Sequence, residues 1–224
     1  MILYKPEIKI CGLTRANEAV SCAEAGADAI GLVFYPPSHR HLSTQQAREI
    51  SLALPDQTAR VGVFVDSPVS DILKRFDDCR LTAVQLHGQE SPDVVGELCN
   101  RGIRVIKALF IHKHPLIREA SRYPASAFLV ECGKGRLPGG NALTWNWGEV
   151  KTFGLSYPLI LAGGLSPETI SRAVFEAGPD GVDISSGVES SPGRKDIQKV
   201  RALIEAVSRC SIERQPRKLW RPAG

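Results

Sequence analysis

A short apolar run of strand character recurs eight times along this chain, with helix-like segments between the runs. Neighbouring parallel strands need a long crossover, usually a helix, so this alternation confines the chain to α/β architectures. The strand-like runs are Glu7–Cys11, Asp28–Phe34, Val61–Val65, Ala83–His87, Ile103–Leu109, Ala127–Glu131, Leu159–Ala162 and Gly181–Ile184. Helices are predicted for about Arg15–Glu24, Ser43–Leu52, Leu116–Arg122 and Lys195–Ser208. Three more are opened by Ser67-Pro68, Ser91-Pro92 and Ser166-Pro167-Glu168, an N-cap followed by proline in the first turn. A Gly-rich loop, Cys132–Ala142, follows the sixth run. Eight such units within about 200 residues fit one (β/α)8 TIM barrel better than an open doubly wound sheet, which usually has fewer strands. The barrel is expected over residues 1–208, with a basic tail over 209–224.

Composition removes several classes of function. The chain is 43% hydrophobic and 23% charged, ordinary for a globular domain with a real core. No apolar run approaches the roughly 20 residues of a membrane span. The first residues, Met1–Glu7, lack the layout of a signal peptide, so a cytoplasmic location is expected. Cys11, Cys22, Cys79, Cys99, Cys132 and Cys210 are scattered without a C-x-x-C pair, which argues for reduced thiols and against a disulfide framework or a zinc site. The net charge of +4 is carried by the last stretch, where Arg209, Arg214, Arg217, Lys218 and Arg221 stand against Glu213. The body is balanced, so a basic face for nucleic acid is not indicated. The tail reads as an extended, solvated end. The expected partner is a small molecule, with no nucleic acid and no membrane, and the chain is expected to be a monomer or homodimer.

In a barrel the carboxyl ends of all strands meet at one face. Those ends supply Cys11, Tyr35, Asp66, His87, Glu131, Gly163-Gly164 and Ser185-Ser186-Gly187. The two small-residue groups follow strands seven and eight, where such barrels commonly bind phosphate through main-chain N–H groups. One Gly-Gly pair reads equally as a turn; two Gly/Ser loops on adjacent strands favour phosphate. Ser185 and Ser186 add hydroxyls, and Gly187-Val188-Glu189 can open a short extra helix. Cys11 lies on one strand face with Lys9, Gly12 breaks the strand, and Thr14 is a candidate N-cap for the first helix. Taken alone, Cys11 reads as strand-end packing, because a thiol with a pKa of about 8.5 is a poor base near neutrality. A cation changes that, and Lys9 is placed to supply one. The eighth strand must pair with the first to close the barrel, so Asp183 is expected beside Lys9.

Several segments extend the match beyond a generic phosphate-binding barrel. They are Lys9-Ile10-Cys11-Gly12-Leu13-Thr14, Gly31-Leu32-Val33-Phe34-Tyr35, Gln85-Leu86-His87-Gly88 and Leu161-Ala162-Gly163-Gly164-Leu165. The most specific is Gly181-Val182-Asp183-Ile184-Ser185-Ser186-Gly187-Val188-Glu189, followed by Pro192-Gly193 and Lys195-Asp196. With these segments the chain resembles the phosphoribosylanthranilate isomerase family of tryptophan biosynthesis up to about residue 208. The resemblance implies an Amadori rearrangement of N-(5-phosphoribosyl)anthranilate, an aminoaldose, to an aminoketose. It implies a base on Cys11 and an acid on Glu131. It also implies phosphate contacts from Gly163, Gly164, Ser185, Ser186 and Gly187, and sixth-loop substrate contacts from Gly139 and Gly140. Arg40 falls where the family holds the anthranilate carboxylate, a role suited to a planar guanidinium. No cofactor and no metal are implied, because the substrate's own iminium ion serves as the electron sink.

Two positions depart from the family pattern. Glu131 stands where Asp is typical, one methylene longer, with a reference pKa of about 4.3 that burial can raise. Pro138-Gly139-Gly140-Asn141-Ala142 stands where the pattern has Gly-Gly-Thr-Gly. These departures keep open a catalytically weakened barrel that still binds a phosphorylated ligand. Another sugar-phosphate isomerase or epimerase is a further alternative, for which Lys107 is the one candidate Schiff-base lysine. His87 is expected to be hydrogen-bonded only, His39 and His41 to be loop surface, and Asp66 to line the mouth.

Overall fold

The barrel closes because its first strand pairs with its last. Strand β1 (Glu7–Cys11) runs parallel to β8 (Gly181–Ile184), with Lys9 opposite Asp183 and Ile10 opposite Ile184. Between them lie β2 (Ala29–Val33), β3 (Ala59–Phe64), β4 (Ala83–Leu86), β5 (Val105–Phe110), β6 (Ala127–Glu131) and β7 (Leu159–Ala162). All are parallel, in sequence order, in one closed barrel. This computed structural model describes residues 3–134, 144–215 and 217–220. The expected (β/α)8 barrel is what the chain forms, with strand ends displaced from the expected ones by at most two residues.

Among the described residues, seven α-helices lie between and after the strands: α1 (Ala16–Glu24), α2 (Thr44–Ala53), α3 (Val69–Asp78), α4 (Pro92–Asn100), α5 (Lys151–Ser156), α6 (Ile170–Ala177) and α7 (Ile197–Ser208). The crossover after β5 is a 3-10 segment, Ile117–Arg122, where an α-helix was expected. None of these helices is long and apolar enough to cross a membrane. Period-2 alternation sorts the strand side chains into two cores. Ile8, Ile10, Ile30, Leu32, Val84 and Leu86 pack outward against the helices. Ala29, Val61, Ala83, Ile106, Leu129 and Ile160 fill the barrel.

The expected helix starts hold at two sites and shift at three. Ser43 forms a full capping box with Gln46, and Ser91 accepts from Val94 N ahead of Pro92. Thr14 is not a cap; Arg15 takes that position without a side-chain bond, and the Thr14 hydroxyl donates to Gly193 O at 2.7 Å. Pro68 itself occupies the cap of α3. Ser166 belongs to a turn before α6, where its hydroxyl donates to Glu168.

The largest difference concerns the tail, which is packed where a solvated end was expected. Ile212–Glu213 pairs antiparallel with Leu3–Tyr4. Arg214 donates to Asp180, Gly178 O, Gly154 O and the Tyr4 hydroxyl, and Arg217 donates to Gly154 O, Leu155 O and Tyr157 O. Leu219 and Trp220 are 1% and 2% exposed and join the barrel-interior core. They fit because the strand starts around them carry Ala29, Ala59, Ala83, Ala127 and Gly181, which leave the amino-terminal mouth wide. Leu219 N donates to Glu7 Oε2 at 2.9 Å, and Arg104 donates to Leu219 O at 3.2 Å. Arg214 and Arg217 are thus spent on Asp180 and on main-chain carbonyls, and Leu219 and Trp220 stopper the barrel floor.

Leu219→Ala is expected to destabilise the fold by about 2 kcal/mol, the lower end for a buried Leu→Ala change because a chain end readjusts. That corresponds to a drop in Tm of roughly 4–8 °C, measured by thermal denaturation. An unchanged Tm would remove the stopper from the fold's stability.

Candidate active site

At the carboxyl face a cleft of about 840 Å³, open to solvent, is lined from seven of the eight strand ends. Its walls include Cys11 after β1, Tyr35, Ser38 and Arg40 after β2, His87 after β4 and Glu131 at the end of β6. Gly163-Gly164 after β7 and Ser185-Ser186-Gly187 after β8 complete it. Residues up to 176 positions apart converge because a parallel barrel delivers every strand end to one rim.

Cys11 is 8% exposed, and Gly31 opposite it on β2 makes its position possible. A Cβ on Gly31 would sit 2.6 Å from the Cys11 sulfur. Below the thiol, the expected contact is present: Lys9 Nζ donates to Asp183 Oδ1 at 2.9 Å, with Lys9 fully buried. Burial works to neutralise Lys9, but Asp183 and the neighbouring Cys11 outweigh it and hold the ammonium charged. For Cys11 the balance goes the other way. Burial pushes its thiol up, and the opposing pull of Lys9, joined by Lys195, does not reverse it. Lys9 therefore moderates the thiol without making it a ready thiolate.

Across the cleft Glu131 is 7% exposed, and its Oε1 lies 3.4 Å from His87 Nε2. Gln85 Nε2 lies 2.9 Å from His87 Nδ1. With the Gln85 amide nitrogen as donor, the imidazole proton is on Nε2 and faces Glu131. His87, expected only to be hydrogen-bonded, is hydrogen-bonded to the carboxyl group itself.

The two small-residue loops form the remaining wall. Gly163 and Gly164 both have positive φ, 87° and 70°, and their turn is pinned from outside. Trp145 Nε1 donates to Ala162 O at 3.1 Å and Trp147 Nε1 to Gly163 O at 3.2 Å. Ser186–Val188 forms a 3-10 turn, the short extra helix that was expected. Ser185 spends its hydroxyl on Cys11 O at 3.0 Å, tying the end of β8 to the end of β1. Ser186 and Gly187 line the cleft beside it.

Arg40 lines the cleft but is not free. Its Nε and Nη2 both donate to Glu189, each at 2.8 Å, in a buried bidentate pair. Lys195 donates to the same carboxylate at 2.8 Å and to Ser185 O at 3.0 Å. Burial alone would raise the Glu189 carboxyl, yet the Arg40 hydrogen bonds and the Lys195 charge hold it below its ordinary range. Glu189 ended the quoted eighth-strand segment and Lys195 followed it, but no local spacing reveals that Arg40 and Lys195 meet on Glu189. Gln85 was missed likewise, since its meaning depends on which face of β4 turns inward.

Other expected positions lie elsewhere. Gly139 and Gly140 fall outside the described residues. Asp66 does not line the cleft; its carboxylate accepts from Gln89 N at 2.6 Å and braces two loops together. Lys107 is fully buried and donates to Glu90 and Gly88 O, each at 2.8 Å, away from the cleft. That closes the Schiff-base route. His39 and His41 are exposed, as expected.

A thiol and a carboxyl facing one cleft, beside cationic and small-residue loops, define a (β/α)8 barrel suited to proton-transfer chemistry on a small anion. Residues 8–206 match the family model for N-(5'-phosphoribosyl)anthranilate (PRA) isomerase. A relative from Desulfatibacillum aliphaticivorans, an N-(5'-phosphoribosyl)anthranilate isomerase, is 47% identical over 214 residues, covering 96% of this chain and 98% of that protein. The crystal structure of phosphoribosyl anthranilate isomerase from Thermotoga maritima is 36% identical with a TM-score of 0.84, covering 91% of this chain and 98% of that one. A further crystal structure shows such an isomerase in complex with reduced 1-(o-carboxyphenylamino)-1-deoxyribulose 5-phosphate. It is 35% identical with a TM-score of 0.81, at the same coverage. The chain belongs to the N-(5'-phosphoribosyl)anthranilate isomerase family.

Because burial outweighs Lys9 at Cys11, iodoacetamide labelling of Cys11 should still be rising above pH 8.5, the ordinary thiol value of about 8.5 being exceeded. Peptide mass spectrometry reads the site, with buried Cys22, its thiol pushed up to about 12 by burial, as the unreactive reference. A plateau below pH 8 would show that the cations win.

Proposed function

We propose that this chain converts N-(5-phosphoribosyl)anthranilate to 1-(o-carboxyphenylamino)-1-deoxyribulose 5-phosphate, a step of tryptophan biosynthesis, with Glu131 as general acid and Cys11 as general base. The observation that carries the reading is that the two groups face the same cleft from strands β6 and β1, beside two loops of small residues.

The protonated Glu131 gives its proton to the ribose ring oxygen as the C1–O bond breaks. The nitrogen lone pair moves into a C1=N bond, leaving an iminium ion and a free C4 hydroxyl. Cys11 thiolate then removes the proton from C2, and the C2–H electrons neutralise the iminium to give an enolamine. Proton return to C1 and loss from the C2 hydroxyl yield the ketone. His87 keeps the Glu131 carboxyl aimed into the cleft. The cationic intermediate also bears on the base, because a positive charge beside Cys11 lowers a thiol pKa that burial has raised. The base is thereby strongest in its supply of thiolate when it is needed.

The phosphate is assigned to Gly163, Gly164, Ser185, Ser186 and Gly187, where main-chain N–H groups approach without side chains in the way. The anthranilate carboxylate is assigned to Arg40. A neighbour bound to a reduced carboxyphenylamino-deoxyribulose phosphate supports a ligand with an anion at each end. Such a charged ester does not cross a bilayer unaided, which fits a cytoplasmic site of action. The paired state of Arg214 and Arg217 argues against the tail as a nucleic-acid arm.

Cys11→Ala and Glu131→Gln should each lower kcat by at least about 100-fold, the usual scale for removing a general acid or base. The loss of phosphoribosylanthranilate fluorescence measures it. Near wild-type turnover in either variant would defeat that residue's role. Glu131→Asp in the same assay tests the longer side chain: a gain shows a compromise, and a loss shows a cleft fitted to Glu.

Gly187→Ala tests the phosphate loops. A Cβ there would run into the Leu165 carbonyl and push the seventh and eighth loops apart. KM should rise at least about tenfold, equivalent to about 1.4 kcal/mol of binding, with a smaller effect on kcat. An unchanged KM would move the phosphate elsewhere.

A further inference from the structure

We propose that Glu189 is a positioning residue that sets both the aim of Arg40 and the positive charge beside Cys11, an inference that rests on the acid–base reading of Cys11 above. The Glu189 side chain is 6% exposed and its carboxylate serves two cations at once. Oε1 accepts from Arg40 Nε and from Lys195 Nζ, and Oε2 accepts from Arg40 Nη2, all at 2.8 Å. Its main-chain oxygen accepts from Lys199 Nζ at 2.9 Å, which fixes the loop that carries it.

The fork occupies two of Arg40's three nitrogens. Among the described residues Nη1 has no hydrogen-bond partner, and Arg40 lines the cleft. A guanidinium gripped along one edge presents its remaining donors in one orientation, so a substrate carboxylate meets a fixed partner. Glu189 in this view settles where the anthranilate end sits.

The second effect is electrostatic. The groups around Cys11 are Lys9 on its own strand, Asp183 on β8, Arg40 from the loop after β2, and Lys195 just before α7. His87 and Glu131 face it across the cleft. Lys9 and Asp183 cancel. Arg40, Lys195 and Glu189 sum to one positive charge where two cations alone would make two. Lys195 continues to Ser185, whose hydroxyl holds Cys11 O, so the trio also abuts the thiol's main chain. Too much positive charge here would stabilise the thiolate and weaken it as a base towards carbon. Too little would leave the buried thiol protonated.

Glu189→Gln removes the negative charge and keeps the shape. Cys11 labelling by iodoacetamide should then titrate about one pH unit lower than in the wild type. The low-pH limb of kcat/KM should move in the same direction. Glu189→Asp keeps the charge but cannot reach both cations, so the thiol titration should stay in place while KM rises. Glu189→Gln/Lys195→Met restores the wild-type charge count and should return the titration. Lys195→Met alone should shift it upward, and carries the test if the first variant does not fold.

A folded Glu189→Gln protein with unchanged Cys11 titration overturns the charge role, as does failure of the double variant to restore it. An unchanged KM in Glu189→Asp overturns the positioning role. Labelling does not depend on turnover, so the two readings separate. If Cys11→Ala remains active while the titration shifts occur, the catalytic assignment falls and the coupling through Glu189 stands.

Discussion

The Lys9–Asp183 pair is the constraint on which the rest of the molecule depends. It joins the first strand to the last, and its register places Lys9 opposite Asp183 at the seam of the barrel. A slip of one residue would turn Lys9 into the apolar layer under the helices, among Ile8 and Ile10, which no charge tolerates. Taking two charges out of water is expensive, and an apolar pair of equal volume would often be as stable. The pair's particular contribution is position: a held cation beside Cys11, neutralised by Asp183. Closure of the fold and preparation of the thiol are therefore one interaction seen from two sides.

The barrel was legible because its signals are local and repeated. Each strand announces itself over four to six residues, and Gly and Ser-Pro punctuation marks the turns. The Lys9–Asp183 contact followed from topology alone, since closing a parallel barrel dictates which strands meet. Helix starts were less legible: Thr14 has the chemistry of a cap, but α1 starts one residue later, with Arg15 at the cap, and the Thr14 hydroxyl donates to Gly193 O. The tail was misread for a related reason. Arg214, Arg217, Leu219 and Trp220 look like a solvated end until Asp180 and the ring of Ala29, Ala59, Ala83, Ala127 and Gly181 are assembled from five separate strands. No window along the chain contains that receptor.

The candidate site shows the same division. Strand-end residues were legible as a set because the fold delivers them to one rim. Their partners were not, because Arg40 and Glu189 stand 149 residues apart and nothing in either neighbourhood refers to the other. His87 was legible as a strand-end residue but not as a neighbour of Glu131, which requires knowing that β4 and β6 ends face one another over the cleft. Glu131 reads as one methylene too long by comparison with Asp. In the folded chain that extra length is what a contact with His87 at 3.4 Å must accommodate.

Charge is distributed unevenly along the cleft, and the unevenness fits the proposed chemistry. The Arg40–Glu189–Lys195 trio leaves a net positive charge near the β1–β8 seam. Below Cys11 the Lys9–Asp183 pair is neutral. A substrate with anions at both ends and a cation developing between them needs that division. One net positive charge beside Cys11 favours the thiolate, whereas a larger one would oppose the iminium ion. Burial pushes the Cys11 thiol up against the pull of Lys9 and Lys195. In the proposed reaction its deprotonation is coupled to the appearance of positive charge on the substrate, so the base would be released by the step that precedes it.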